Sequence, residues 1–135
     1  MFGMMRNPAE SYAKVGVEIA VETADPHRLV LMLFDGAIVA VATSKNHMAD
    51  GNIPLKGSNI SKAIDIITCG LNASLDIESG GELAERLSAL YDYMAQRLLW
   101  ANLKNEIAPL DEVLNLLNEL RSAWAEITPS QQEAA

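Results

Sequence analysis

The stretch LVLMLFDGAIVAVA, residues 29–42, carries more apolar surface than one face of a helix needs. It contains one charged side chain, Asp35, and one residue that weakens helices, Gly36. The whole chain has a formal net charge of -8, so a nearly uncharged run stands out in it. We expect a helix with one face in a core and a second apolar face that needs a separate explanation.

Capping and turn residues predict that this first helix spans residues 26–50. Asp25 suits the N-cap, and Pro26 suits the first helical position, where its missing N–H does no harm. The helix is expected to stop in DGNIP, residues 50–54, because turn-forming residues gather there.

Apolar residues at spacings of three and four predict three more helices, over residues 56–78, 82–103 and 109–127. The second helix has the face Ile60, Ile64, Ile67, Leu71 and Leu75. The sequence SGGE, residues 79–82, predicts a tight turn between the second and third helices. Short connections favour antiparallel packing, so we predict an all-α, up-down-up-down four-helix bundle over residues 25–128.

Two segments lie outside the predicted bundle. Residues 1–24 form an N-terminal arm that we expect to be loosely attached, and residues 129–135 form a polar, frayed tail. There is no signal-peptide pattern, and residues 29–42 fall short of the roughly 18 residues of a membrane span. With Cys69 as the sole cysteine, nothing indicates an oxidising compartment, and we predict a cytoplasmic protein without membrane insertion.

Composition and motifs argue against several kinds of chemistry. Ten Lys and Arg against eighteen Asp and Glu do not suit nucleic-acid binding, which depends on basic side chains. Neither histidine belongs to the Glu-x-x-His device of a di-metal bundle. His47 and Lys56 are separated by a turn, so they do not share a helix face as histidine phosphotransfer would require. We therefore expect no enzyme activity, no catalytic residue, no metal site and no cofactor.

The first two predicted helices each have apolar residues beyond one core face. In the first helix, the expected core face consists of Leu29, Met32, Leu33, Gly36, Ala40 and Thr43. The apolar residues that lie outside this face are Val30, Leu31, Phe34, Ile38, Val41 and Ala42. In the second, the extra stripe is Ala63, Ile66, Gly70, Ala73 and Ile77. Periodicity alone leaves open that the first helix is simply the most buried. If the surplus is exposed, an amphipathic helix is the partner best suited to it.

Five segments together resemble the FliS family of flagellin-specific export chaperones. They are TADPHRL (23–29), MLFDGA (32–37), LNASLD (71–76), GGELAERLSALYDYM (80–94) and RLLWANLKN (97–105). Their order and spacing are kept from about Tyr12 to Ile127, which makes the combination specific.

The resemblance implies a small cytoplasmic bundle that binds the C-terminal segment of flagellin in apolar grooves. The segment is disordered when free and folds into helices on the chaperone. Binding would prevent premature polymerisation and deliver flagellin to the flagellar type III export apparatus. The family also implies an N-terminal arm that covers part of the groove, and Tyr12 matches its aromatic position.

We predict that Leu31, Phe34, Ile38, Ile66 and Ile77 contact flagellin and that Tyr12 belongs to the cap. The free chain is expected to be a monomer or a weak homodimer, and a flagellar regulatory protein is a further possible partner. A different class stays open: a self-associating structural bundle that carries no client.

Overall fold

The computed structural model describes residues 25–127 as an all-α bundle of four helices. Helix α1 is Pro26–Ala49, α2 begins as Ile53–Asp65, α3 is Ile77–Lys104, and α4 is Ala108–Glu126. Each helix packs against the next one in the chain, and α4 packs back against α1. The predicted all-α class and bundle are therefore confirmed, while the arm, the tail and Tyr12 lie outside the described residues.

The predicted start of α1 is confirmed in its atomic detail. The Asp25 side chain accepts a hydrogen bond from the Arg28 amide at 2.8 Å, and Pro26 occupies the first turn. The cap satisfies one of the free amides at the helix start. Helix α1 ends at Ala49, one residue before the predicted limit.

Helix α2 begins at Ile53 rather than near Lys56, because Asn52 acts as its N-cap. The Asn52 side chain accepts from the Leu55 amide at 3.2 Å, and Pro54 is accommodated in the first turn. The helix then widens into a π-helical turn, Ile66–Leu71, and tightens into a 3₁₀ turn, Asn72–Ser74. It therefore ends four residues short of the predicted Glu78.

The predicted break at residues 79–82 is present at Gly81, but the second helix ends earlier than predicted. The chain leaves the helix at Leu75, and α3 starts at Ile77 because the Asp76 carboxylate accepts from the Ser79 amide at 3.1 Å. Gly81 lies inside α3 with φ 54° and ψ -132°, a conformation that suits glycine. Gly81 therefore marks a kink that separates the first helical turn, residues 77–80, from the rest of α3.

The core face predicted for α1 is also corrected. The structure buries Leu29 and Leu33 as expected, but Phe34 is 3% exposed and Val41 is fully buried as well. Met32, by contrast, is only half-buried. Because α2 and α4 cover two flanks of α1, the buried arc is wider than the single stripe that periodicity suggested.

Helix α1 is long and apolar enough to cross a membrane by length and composition alone. The length argument drawn from residues 29–42 therefore does not hold for the whole helix. A core helix of a globular bundle passes the same test, and α1 buries eight residues, including Ser44, against its neighbours. The packing, and not the length, identifies α1 as a core helix.

Candidate functional site

An apolar cleft of about 570 Å³ opens at the end of the bundle where α1 and α3 begin and α4 ends. We call it the end groove. Val30 and Phe34 of α1 and Leu71 of the π-helical turn contribute to its lining. Phe34 and Leu71 are almost fully buried, so this part of the groove is an extension of the core.

The two flanks of the end groove come from α3 and α4. Helix α3 contributes Leu83, Ala84, Leu87 and Tyr91, which recur at helical spacing along one face. Helix α4 contributes Leu120, Ala123 and Trp124, followed by Ile127 just beyond its end. The two helices thus present facing apolar surfaces.

The early end of α2 leaves this cleft open. Had α2 continued to Glu78 as predicted, another helical turn would follow Ser74. Instead Leu75 adopts an extended conformation, and the Asp76 cap and the kink at Gly81 lead the chain into α3. Ser74, Leu75 and Asp76 therefore form one edge of the groove.

The end groove has few polar groups, and the protonation states of Tyr91 and Asp76 are defined. Burial raises the pKa of Tyr91 to about 12, so its phenol is neutral at ordinary pH. Hydrogen bonds from Ser79 lower the pKa of Asp76, which is therefore a carboxylate at neutral pH. An apolar interior with a charged edge suits the apolar face of an amphipathic helix better than a small charged ligand.

Leu83 is the most exposed large apolar residue of the groove, at 54%. Ile77, in the first turn of α3, is 46% exposed. Exposed apolar side chains beside a cleft indicate a surface that a partner covers. A second exposed set, Leu99, Trp100 and Leu103, lies at the opposite end of α3.

The structure separates the five predicted client residues. Phe34 lines the end groove. Leu31 and Ile38 are half-buried one helical turn to either side of it on α1, and Ile77 is exposed near the groove. Ile66 has no exposed surface and lies in the core beside Ala63, which is buried one helical turn earlier. Ile66 is therefore inaccessible to a partner in this conformation.

Sequence reasoning missed Leu83, Leu87, Leu120 and Trp124 as groove residues. They recur at the three- and four-residue spacings that predict the third and fourth helices, and such spacing indicates core positions. The spacing correctly indicated that these residues face the inside of the bundle. At this end, however, the bundle is open, so the same face lines a cleft. An apolar stripe does not distinguish a position under a neighbouring helix from one beside a cleft.

Among residues 25–127, no group of three or more His, Cys, Asp or Glu side chains is placed to hold a metal ion. The polar contacts between side chains of different helices connect those helices to one another. Glu112 of α4 accepts from Tyr93 at 2.6 Å and from Arg97 at 2.8 Å, both on α3. Arg121 of α4 pairs with Asp35, the single charge of the opening stretch.

Comparison with known proteins supplies a family for this arrangement. The family model for the flagellar protein FliS matches residues 8–131. The flagellar secretion chaperone FliS of Salmonella typhimurium is 49% identical over 120 residues, covering 89% of this chain and 89% of the relative. The FliS of Vibrio cholerae is 42% identical over 125 residues, covering 93% and 91%. The FliS of Bacillus subtilis is 32% identical over 129 residues, covering 96% and 92%.

Proposed function

Because the chain belongs to the FliS family of flagellar secretion chaperones, we propose that it binds the C-terminal segment of flagellin and that the end groove receives part of that segment. Membership confirms the resemblance found in the sequence. It also makes the protein a chaperone of flagellar export, since the family is one of chaperones and not of enzymes.

The observation that carries the proposal is an open apolar cleft at one end of the bundle. Its volume of about 570 Å³ lies within the roughly 300–1,000 Å³ range of ligand sites. Such a cleft holds a few side chains from one face of a helix. The rest of the segment would then extend over nearby apolar surface, which includes Ile77, Leu31 and Ile38.

A disordered client loses conformational entropy when it folds on the chaperone, so binding needs several apolar contacts. Each Leu or Phe that becomes fully buried contributes about 1.5–3 kcal/mol. The half-exposed Leu83 offers surface that is still in contact with water in the free protein. Covering such surface offsets the ordering cost without disturbing the core.

The same proposal includes the fate of the client. The chaperone would act in the cytoplasm, keep flagellin from polymerising early, and deliver it to the flagellar type III export apparatus. Residues 1–24, with Tyr12, would cap the groove when it is empty, and a flagellar regulatory protein would be a further partner. The free protein would be a monomer or a weak homodimer.

The test compares two substitutions on the same helix. Leu83→Asp places a charge in the end groove, whereas Leu103→Asp places one at the opposite end of α3, where the side chain is 77% exposed. Both side chains are exposed in the free protein, so both variants should keep the circular dichroism and melting temperature of the wild type. Calorimetric titration with a flagellin C-terminal peptide should show binding by Leu103→Asp and none by Leu83→Asp.

Equal binding by both variants would show that the end groove is not part of the flagellin-binding site. Light scattering with and without the peptide tests the structural alternative. A stable dimer that neither binds the peptide nor changes its mass would contradict the chaperone proposal. Ile66 is unsuitable for this test, because a charge at a fully buried position would unfold the protein.

A further inference from the structure

His27 and Trp124, which we call the aromatic pair, connect the first turn of α1 to the last turn of α4. Their rings are stacked, with centroids 5.2 Å apart and planes inclined by 17°. The Trp124 Nε1–H donates to the His27 carbonyl at 2.9 Å, and His27 Nε2 lies 2.7 Å from the Trp124 carbonyl. Since a carbonyl oxygen only accepts, His27 Nε2 carries a proton and donates.

The bonding is reciprocal, so each ring is held by the backbone of the other residue. A half-buried indole needs an acceptor for its N–H, and here the His27 carbonyl supplies it. The N–H of Trp124 is thus occupied within the chaperone, although the residue lines the end groove. The surface that Trp124 offers to a groove ligand is the hydrocarbon part of its ring.

The aromatic pair also provides a hydrogen bond to the C-terminal end of α4. The Trp124 carbonyl, which lies among the carbonyls without helical partners at a helix C-terminus, accepts from the Ile127 amide at 3.1 Å as well as from His27. Helix ends fray unless such groups are bound. Trp124 and Ile127 both line the groove, so a frayed α4 end would displace one of its flanks.

We propose that His27 is a positioning residue of the end groove, which holds the Trp124 ring and the end of α4 in the orientation that receives the client. The statement about the client rests on the proposed function, whereas the statement about the ring does not. The competing explanation is that the pair only ties α1 to α4. In that case its loss lowers stability and leaves the affinity of the folded protein unchanged.

The experiment uses the full chain with Trp100→Phe, which leaves Trp124 as its single tryptophan. Into this background we would introduce His27→Ala or the matched control His47→Ala, which removes the other histidine from the last turn of α1. Acrylamide quenching reports the exposure of the Trp124 ring. Fluorescence titration with the flagellin C-terminal peptide reports affinity, and both are measured well below the melting temperature.

We expect His27→Ala to raise the quenching constant of Trp124 and to weaken peptide binding. If the released ring keeps its groove orientation about one-fifth of the time, the apparent affinity falls about fivefold. His47→Ala should change neither quantity. Should His27→Ala fold poorly, His27→Gln keeps a side-chain donor for the Trp124 carbonyl but not the stacked ring, and it should also raise quenching.

The outcomes are separable. Unchanged quenching in the folded His27 variants would overturn the proposal whatever the peptide does. Raised quenching with wild-type affinity would also overturn it, because the ring would then move without consequence for the site. Failure of the unsubstituted protein to bind the peptide would instead overturn the proposed function, and with it the client part of this inference.

Discussion

At the scale of single residues, two residues of the same type have different roles according to what surrounds them. Gly57 and Gly70 both lie in the continuous helical segment of α2, yet a Cβ at Gly57 would meet only Asn102 Oδ1 at 3.8 Å. A Cβ at Gly70 would lie 2.9 Å from Cδ2 of the fully buried Leu33. The absent side chain of Gly70 is thus a packing requirement between α1 and α2.

The two glycines provide a matched test of this packing. Gly57→Ala should raise the free energy of unfolding by up to about 1 kcal/mol, because alanine favours a helix over glycine. Gly70→Ala should lower it, since overpacking a core costs about 1–3 kcal/mol. Urea denaturation measures both values. An equal gain in both variants would show that Leu33 yields easily to the added methyl group.

Lys56 is an unusual charged residue, because it is 4% exposed. Its Nζ donates to the Asn102 carbonyl at 3.0 Å, near the C-terminal end of α3, where positive charge is favourable. Lys56→Met should lower the free energy of unfolding by about 1–2 kcal/mol through loss of this charged hydrogen bond. Lys62→Met, an exposed change on the same helix, should stay within about 0.5 kcal/mol of the wild type.

At the scale of secondary-structure elements, the irregular end of α2 determines the shape of the candidate site. The π-helical turn contains four buried residues, Ile66, Ile67, Gly70 and Leu71, so this part of α2 lies in the core. The 3₁₀ turn that follows ends the helix at Ser74. The groove is open because α2 stops there.

Helices α3 and α4 are joined by a polar contact that should respond to pH. Hydrogen bonds from Tyr93 and Arg97 lower the pKa of Glu112, and the same contact raises the pKa of Tyr93. A carboxyl group with a lowered pKa stabilises the fold above its unfolded pKa, and this contribution is lost as pH falls through the folded pKa. The contact is partly exposed, so its effect on stability should be modest.

Nuclear magnetic resonance titration of the Glu112 side chain tests this arrangement. Tyr93→Phe removes the donor that lowers the pKa most, so the pKa of Glu112 should rise towards its ordinary value. Tyr91→Phe is the control, since it removes a hydroxyl from the same helix at the end groove. A Glu112 pKa that is the same in both variants would show that the Tyr93 contact is not maintained in solution.

At the scale of the whole molecule, binding of a client should appear as added stability. A ligand that binds only the folded chain at about 100 times its dissociation constant adds about 2.7 kcal/mol. For a domain of this size we expect the melting temperature to rise by about 10 °C. Differential scanning calorimetry with the flagellin peptide measures the shift, which should be absent in Leu83→Asp. A rise of the same size in that variant would place the binding surface elsewhere.

Local signals in the sequence determined the elements of this protein. The spacing of apolar residues defined four helices, and the Asp25 and Pro26 pair marked the start of α1, because capping depends on groups within one turn. The combination of motifs from TADPHRL to RLLWANLKN also sufficed to identify the family. Helical spacing and capping depend on residues near one another in the chain, and the motifs are a property of the sequence itself, so the sequence contains this information directly.

The tertiary structure alone decided which apolar residues are core and which are groove. Phe34, Ile66 and Ile77 all looked like surplus apolar positions, yet they are a groove wall, a core residue and an exposed residue. The spacing of apolar residues shows which face of a helix is suited to burial. Whether another helix covers that face depends on where the neighbouring helices end. That is set by the π-helical turn, the Asp76 cap and the Gly81 kink acting together.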